Sequence, residues 1–134
     1  MPYELLSEES GDKIKATGMT RAGLLESALK GTFATYGAVF EEDAEEVTRS
    51  FVLHAADFDA LLAAFLDKAL ETGAANGESY QAVKFDLITV MDAEGAFVGK
   101  PCGKPDDAIK KVKKGVKAVR NAEGAWEAEI AYDR

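Results

Sequence analysis

The chain has 134 residues, with 24 acidic and 16 basic side chains, a formal net charge of -8 and an isoelectric point near 4.7. This length suits a single domain over residues 1–134, and the negative charge argues against nucleic acid or an anionic membrane as a direct partner, because the average field repels phosphate. The sequence has one cysteine, no signal-peptide pattern and no apolar run of the roughly 20 residues that cross a bilayer, so it predicts a cytoplasmic protein without a disulfide.

The amino-terminal part of the chain predicts two strands followed by a helix. Short strands are expected at residues 2–6 and 13–17, with a polar loop between them. Thr20 is placed to cap a helix that runs to Tyr36, and Gly37 is expected to end it. The apolar face of this helix recurs every three to four residues, at Leu25, Leu29, Phe33 and Tyr36.

The clearest helix in the sequence covers residues 57–73. Its apolar stripe is formed by Phe58, Leu61, Leu62, Phe65, Leu66 and Ala69. Asp57 is a natural N-cap, because its carboxylate can accept free N–H groups of the first turn. Gly73 is expected to stop the helix in a left-handed conformation. Before this helix, an acidic loop at 41–46 leads into a predicted strand at 47–55.

Strands dominate the second half of the chain. After a loop at 73–79, apolar and polar residues alternate over 83–87, and they alternate again over the closing residues 126–133. Two similar segments, 92–97 and 121–126, each begin with Asp or Asn and have glycine in fourth place. Each segment predicts a hairpin turn with its glycine in the left-handed conformation.

Residues 106–119 are ambiguous between helix and strand. Apolar residues recur there at helical spacing, at Ile109, Val112, Val116 and Val119, but they are also β-branched. The spacing favours a short helix at 107–114 followed by a strand at 116–120. Because short loops between neighbouring strands imply antiparallel pairing, we predict an α+β fold with two helices packed on a mainly antiparallel β-sheet.

No catalytic residue is predicted from these patterns. The glycines form no nucleotide-binding loop, and one cysteine with one histidine cannot form a Cys/His metal cluster. His54 is expected at the boundary of the core, with a catalytic base as the less favoured alternative. Cys102 is flanked by Lys100 and Lys104, which would favour its thiolate form, but no base is visible beside it.

Charged residues are concentrated in a few segments. The basic run comprises Lys110, Lys111, Lys113, Lys114, Lys117 and Arg120. Such a run is commonly a solvated face, and the alternative is a docking patch for an acidic partner or a phosphate-bearing ligand. Acidic residues cluster at Glu8, Glu9 and Asp12, at 41–46, and at Asp133. Carboxylates from two or three such segments could hold Ca²⁺ or Mg²⁺ if the segments converge.

Over nearly its whole length the chain resembles the archease family. Residues 3–6 (Tyr-Glu-Leu-Leu) and 14–18 (Ile-Lys-Ala-Thr-Gly) resemble the family's first strands, around its His-Thr-Ala-Asp motif. Residues 20–33 resemble the family's first helix, and 57–70 its Leu-Leu-x-x-[Trp/Phe]-Leu helix. Gly-Lys-Pro at 99–101 stands where the family has Gly-Glu-Pro, and the end of the chain resembles the family's lysine-bearing strand and its final hairpin, which ends in aspartate.

The resemblance implies an accessory protein rather than an enzyme. Archeases are small acidic α+β proteins that assist an RtcB-type, GTP-dependent tRNA-splicing RNA ligase, promote its guanylylation, and use acidic residues that can bind a divalent metal. For this chain the implied cofactor is Ca²⁺, Mg²⁺ or Mn²⁺, and the implied partner is an RNA ligase.

The implied site residues are Asp133 and Asp12 for the metal, and Lys110 and Lys117 for the partner. Asp133 matches the family pattern, whereas residues 8–11 (Glu-Glu-Ser-Gly) replace its His-Thr-Ala-Asp motif and Asp12 comes one place later. A one-residue slip turns a strand side chain to the opposite face, so Asp12 substitutes only if the loop bulges. The family lysine is Lys110 by its distance from Trp126, or Lys117 by its Lys-Ala-Val context, and Lys110 is preferred.

Three functions are compatible with these residues. The first is the accessory protein of an RNA ligase. The second is an archease-fold binding or assembly module that has lost the metal site. The third, least favoured, is a small enzyme that uses Cys102 or clustered carboxylates.

Overall fold

The computed structural model describes residues 3–8, 11–36, 43–103 and 109–133, and in these ranges the chain forms eight strands and two helices. The helices are α1 (Arg21–Tyr36) and α2 (Phe58–Asn76). The strands are β1 (Tyr3–Glu8), β2 (Gly11–Gly18), β3 (Val47–His54), β4 (Glu78–Ile88), β5 (Asp92–Pro101), β6 (Lys111–Val112), β7 (Ala118–Arg120) and β8 (Trp126–Asp133). No helix among the described residues is long and apolar enough to cross a membrane.

The strands form two antiparallel sheets. In the larger sheet, β1 pairs with β2 and β2 with β8, and both β6 and β7 pair with β8. The smaller sheet has the order β3-β5-β4. Helix α1 packs on β2 and β4, and α2 packs on β3, β4, β5 and β6, so each helix contacts both sheets. The predicted α+β fold is confirmed, with the strands divided between two sheets rather than one.

Both predicted helix caps are present. Thr20 Oγ1 accepts a hydrogen bond from the backbone N–H of Gly23 at 2.9 Å, and Asp57 Oδ1 accepts one from Ala60 at 2.8 Å. Each cap satisfies a donor that has no partner within its own helix. The caps therefore fix where the two apolar stripes begin.

The centre of the core is a cluster of aromatic rings. Phe51 of β3 stacks on Phe97 of β5, with ring centroids 4.5 Å apart, and meets Phe65 of α2 edge-on at 5.6 Å. Tyr80 of β4 stacks on the other side of Phe97, and Phe33 of α1 meets Tyr80 edge-on. These rings join both helices to the smaller sheet, and burial of each large side chain contributes roughly 1.5–3 kcal/mol before ordering entropy is counted.

The prediction that Gly73 ends α2 is wrong. The helix continues to Asn76 and ends at Gly77, which has a φ of 65° and donates its N–H to the carbonyl of Gly73. Gly73 is buried inside the helix, where a Cβ would lie 2.7 Å from the backbone oxygen of Glu78. Its missing side chain allows β4 to approach the helix closely. The predicted loop at 73–79 is accordingly replaced by helix, cap and strand.

One of the two predicted hairpin turns is also wrong. Residues 92–97 lie in β5, where Gly95 faces β4 so closely that a Cβ would overlap the carbonyl of Lys84. The turn lies earlier, where Thr89 Oγ1 accepts the N–H of Asp92 at 2.8 Å. The second turn is confirmed: Gly124 has a φ of 82°, and Asn121 Oδ1 accepts N–H groups on both sides of it.

The predicted helix at 107–114 is not formed in its described part. Lys111 and Val112 pair as strand β6 with the end of β8, while residues 104–108 lie outside the described part of the chain. The N–H of Val112 donates to Asp67 Oδ1 of α2 at 2.7 Å, a partner that an isolated helix would not offer. The strand predicted at 116–120 is confirmed as the shorter β7.

The first hairpin is longer than predicted. Strand β1 reaches Glu8 and β2 begins at Gly11, so most of the expected loop between them is paired. Residues 43–46 of the acidic loop form neither helix nor strand. Gly37 and residues 41–42, on which two further predictions fall, lie outside the described ranges.

An ion pair between a buried glutamate and a partly exposed arginine joins the two edge strands of the smaller sheet. Glu78 of β4 is only 3% exposed and accepts two hydrogen bonds from Arg49 of β3, at 2.9 and 2.6 Å, and one from the hydroxyl of Tyr80 at 2.7 Å. The hydrogen bonds from the Arg49 guanidinium hold the pKa of Glu78 below its ordinary value. Burial, together with the bond to Glu78, raises the pKa of Tyr80.

The close approach at Gly73 predicts an unusual response to alanine. Gly73→Ala should lower the free energy of unfolding by about 1–3 kcal/mol although alanine favours helix, because its Cβ would meet backbone rather than a movable side chain. Gly31→Ala in α1 is the matched control and should cost less, since the nearest atoms to its Cβ belong to the side chains of Ile14 and Tyr3 rather than to backbone. Urea denaturation at pH 7 measures both, and a Gly73→Ala protein as stable as the wild type would contradict the packing role.

The Arg49–Glu78 pair predicts a pH-dependent stability difference. A carboxyl whose folded-state pKa is lowered stabilises the fold above its unfolded pKa, here about 4.5, and this contribution is lost as the pH falls through the lower, folded value. The gap in unfolding free energy between the wild type and Arg49→Met should therefore be largest above about pH 4.5 and shrink on acidification. Arg120→Met is the control, because Arg120 lies over the uncharged ring of Trp126. A gap for Arg49→Met that stays constant with pH would refute this assignment.

Candidate functional site

Asp133 closes the last strand at a corner of the larger sheet. It pairs with Lys111 of β6, and its carbonyl accepts the N–H of Lys110 at 2.8 Å. On the opposite edge of β8, strand β2 pairs as far as Lys13 with Ala131. The structure thus brings Lys110 directly beside Asp133, two of the residues singled out in the sequence.

Asp12 lies at the same end of the sheet. In the β1–β2 hairpin it pairs with Ser7, and it precedes Lys13, which pairs with Ala131 two residues before Asp133. The β1–β2 pairing runs without interruption from Tyr3–Ala16 to Glu8–Gly11, so these pairs contain no bulge. The side chain of Asp12 is outside the described part of the structure, and its role as a ligand stays a prediction.

The described residues contain no group of three or more His, Cys, Asp or Glu side chains placed to hold a metal ion. Asp133 offers a carboxylate, the type of oxygen ligand that Ca²⁺, Mg²⁺ and Mn²⁺ prefer. One carboxylate does not complete such a site, since Ca²⁺ takes six to eight oxygens and Mg²⁺ six. A metal centre here depends on acidic side chains beyond the described residues, with Asp12 the predicted one.

Two carboxylates of α2 hold the lysine-bearing segment against β8. Asp67 Oδ1 accepts the N–H of Val112 at 2.7 Å, and Asp59 Oδ1 accepts the N–H of Ala118 at 2.8 Å. Burial raises the pKa of Asp67, and its hydrogen bond with Val112 opposes that shift. No pattern in the sequence had indicated a role for these aspartates. Their position two turns apart on one helix, next to its apolar stripe, is the signal that could have identified them.

Between the two anchored residues, Val112 and Ala118, the chain leaves the edge of β8 in a bulge. This bulge forms one wall of a lysine-lined groove, the lysine groove, over the outer face of the larger sheet. Residues 113–117 carry the bulge, and Gly115 within it has a φ of 97°. Two adjoining depressions, of about 370 and 290 Å³, share Gly115 and Glu129 in their walls. Together they are lined by five lysines, namely Lys13, Lys15, Lys113, Lys114 and Lys117.

The lysine groove and Asp133 are separate positions on one strand. Ala118 pairs with Ala128, which places Lys117 near Glu129 rather than near Asp133. Asp133 lies four positions after Glu129 along the strand, a distance of about 13 Å at roughly 3.3 Å per residue. The structure therefore brings Lys110 to Asp133 but places Lys117 elsewhere on the same face.

His54 and Cys102 do not form a catalytic pair. His54 is exposed at the end of β3, and its Nδ1 lies 2.7 Å from Asp92 Oδ1, whose pKa it lowers through their hydrogen bond. Cys102 follows the opposite end of β5, and the ten residues of that strand separate it from Asp92 by about 30 Å. Because His54 is the chain's only histidine, Cys102 has no imidazole base.

Comparisons with known proteins identify the family and the fold. The family model described as the Archease protein family (MTH1598/TM1083) matches residues 3–133. The crystal structure of "an archease, possible chaperone" (TM1083) from Thermotoga maritima aligns with a TM-score of 0.65 and 13% identity, over 96% of this chain and 94% of that one. The solution structure of Methanobacterium thermoautotrophicum protein 1598 aligns with a TM-score of 0.62 and 16% identity, over 99% of each chain. No curated protein matches the chain by sequence. On the strength of the family match, which spans almost the whole sequence, the chain belongs to the archease family.

Proposed function

We propose that this archease is a cytoplasmic accessory protein that assists an RtcB-type tRNA-splicing RNA ligase by promoting its guanylylation, without catalytic activity of its own. The observation that carries the proposal is the contact between Lys110 and Asp133 at the end of β8. It joins the lysine and the aspartate that the family resemblance singles out, in a chain that the family model matches from residue 3 to 133. The Thermotoga maritima relative is itself described as a possible chaperone, a helper role of the same kind.

A divalent metal is part of the proposal. Asp133 would hold Ca²⁺, Mg²⁺ or Mn²⁺, and such an ion would supply a positive centre for phosphate oxygens of the partner's nucleotide. Asp12 is the predicted second ligand, and because the described β1–β2 pairs contain no bulge, this role requires its side chain to reach the face of Asp133. Lys110 and Lys117 would contact the ligase. Direct RNA binding is not expected, because the net charge of -8 repels a polyphosphate chain.

A second candidate is an archease-fold binding module without a metal. It is favoured by one observation, that no three ligand side chains converge among the described residues. In this case the protein would act by holding or orienting its partner, and Asp133 would contribute only its backbone pairing with Lys110 and Lys111.

The role of Asp133 is tested by removing its charge. Asp133→Asn keeps the shape of the side chain, so we expect an intact fold and a guanylylation rate of the cognate ligase that falls to the level without archease. The assay follows transfer of labelled GMP from GTP to the ligase. Asp86→Asn, on an exposed position of β4, is the matched control and should stimulate like the wild type. If Asp133→Asn stimulated the ligase fully, the negative charge of Asp133 would not be needed for stimulation, and its proposed role would be wrong.

The metal is tested separately by calorimetry. Titration of Ca²⁺, Mg²⁺ or Mn²⁺ into the wild type should give a stoichiometric binding heat that is lost in Asp133→Asn and in Asp12→Asn, since each substitution removes a charged oxygen ligand. Asp86→Asn should bind as the wild type does. If no metal gives specific heat while the wild type still stimulates the ligase, the metal-free module is the correct function.

A further inference from the structure

The outer face of the larger sheet is locally basic although the protein is strongly acidic. Among the described residues, five lysines and two acidic side chains line the groove over β8, in a chain with a net charge of -8. The two acidic residues are already compensated: Lys13 Nζ lies 3.3 Å from Glu129 and Lys15 Nζ lies 3.7 Å from Glu127. What remains is a positive surface that no described acidic side chain neutralises.

The uncompensated charges belong to Lys113, Lys114 and Lys117. None of the three ammonium groups has an ion pair with a described residue. Their segment is nevertheless held in place, because Asp67 and Asp59 of α2 accept the N–H groups of Val112 and Ala118 on either side of it. A fixed backbone that carries unpaired cations costs less to order on binding than a mobile one.

The groove also carries apolar surface among the lysines. Val119 lines the larger depression and is 50% exposed, and Val116, which is partly buried, lines the smaller one. A phosphate backbone would gain nothing from exposed valine. The described residues that line the groove include no aromatic ring to stack bases. Trp126, which follows the β7–β8 turn, is covered by the guanidinium groups of Arg21 and Arg120.

From these features we propose that the groove docks an acidic segment of a partner protein that carries at least one apolar side chain. Carboxylates of the segment would pair with Lys113, Lys114 and Lys117, and the apolar side chain would cover Val119. The inference concerns the chemistry of the partner and holds whether or not that partner is an RNA ligase, because it is tested without a ligase.

The test is an NMR titration of the full ¹⁵N-labelled chain with the acetylated peptide Glu-Asp-Glu-Leu-Glu-Asp-Glu. We expect shift changes confined to the amides of residues 13–15, 113–119 and 127–131. The triple variant Lys113→Gln, Lys114→Gln, Lys117→Gln should bind about tenfold more weakly, because three exposed ion pairs are lost. The control triple Lys30→Gln, Lys68→Gln, Lys84→Gln removes the same charge elsewhere and should bind more tightly than the groove triple. Equal affinities of the two triples would overturn the proposal, since net charge alone would then explain binding.

The apolar contact is tested by a second comparison. Val119→Ser should weaken binding of the leucine peptide severalfold and leave binding of the same peptide with serine in place of leucine unchanged. The Val119→Ser protein and the groove triple can both be checked for an intact fold in the same spectra. Absence of shifts in the groove at millimolar peptide overturns the proposal, and tighter binding of decauridylate than of the peptide would replace it with a nucleic-acid site.

Discussion

The positions of the candidate sites are fixed by one constraint, which is that alternate residues of β8 are buried in the core. Ala128, Ile130 and Tyr132 face the core, and the hydroxyl of Tyr132 shares a buried 2.6 Å hydrogen bond with Thr32 of α1. A shift of one residue would turn this whole set to solvent, so the register against β2 is strongly specified. The same alternation then places Glu127 and Glu129 on the outer face and brings Asp133 to the end of the strand beside Lys110.

Helix α2 extends this constraint to the segment that the sequence left ambiguous. Helical spacing of Ile109, Val112 and Val116 favoured a helix, yet an extended chain wins because its N–H groups find partners on two sides. Lys110 and Lys113 donate to carbonyls of β8, and Val112 donates to Asp67 of α2. Tertiary partners thus outweigh a local preference that amounts to a few tenths of a kcal/mol per residue.

The fold was predictable where one pattern had one meaning. Stripes at helical spacing, the caps Thr20 and Asp57, the Asn121 turn and the alternation of β8 each led to the element observed. A glycine can be needed for either of two reasons: the backbone adopts a left-handed conformation, or a neighbouring backbone packs too closely for a Cβ. The sequence alone does not show which reason applies. Gly124 serves the first, whereas Gly73 and Gly95 serve the second, and both of those were misassigned. Carboxylates were equally ambiguous: Asp59, Asp67 and Glu78 all turned out to hold structure together, which depends on long-range neighbours that no local pattern reveals.

The candidate site, like the fold, was predictable from the sequence only in part. The family resemblance singled out Lys110 and Asp133 separately, whereas their backbone contact follows from the pairing of β6 with the end of β8, which the sequence did not predict. The groove could not be anticipated, since its walls come from β2, β8 and the bulge at Gly115, which are brought together only by the sheet order. Composition was misleading here, because a net charge of -8 averages over a surface that is locally positive. The groove lies over Glu129, and Asp133 stands about 13 Å further along β8, a strand paired on both edges. A partner segment seated in the groove would therefore be held at a fixed distance from Asp133, so that docking by lysines and action at the aspartate become two ends of one rigid element.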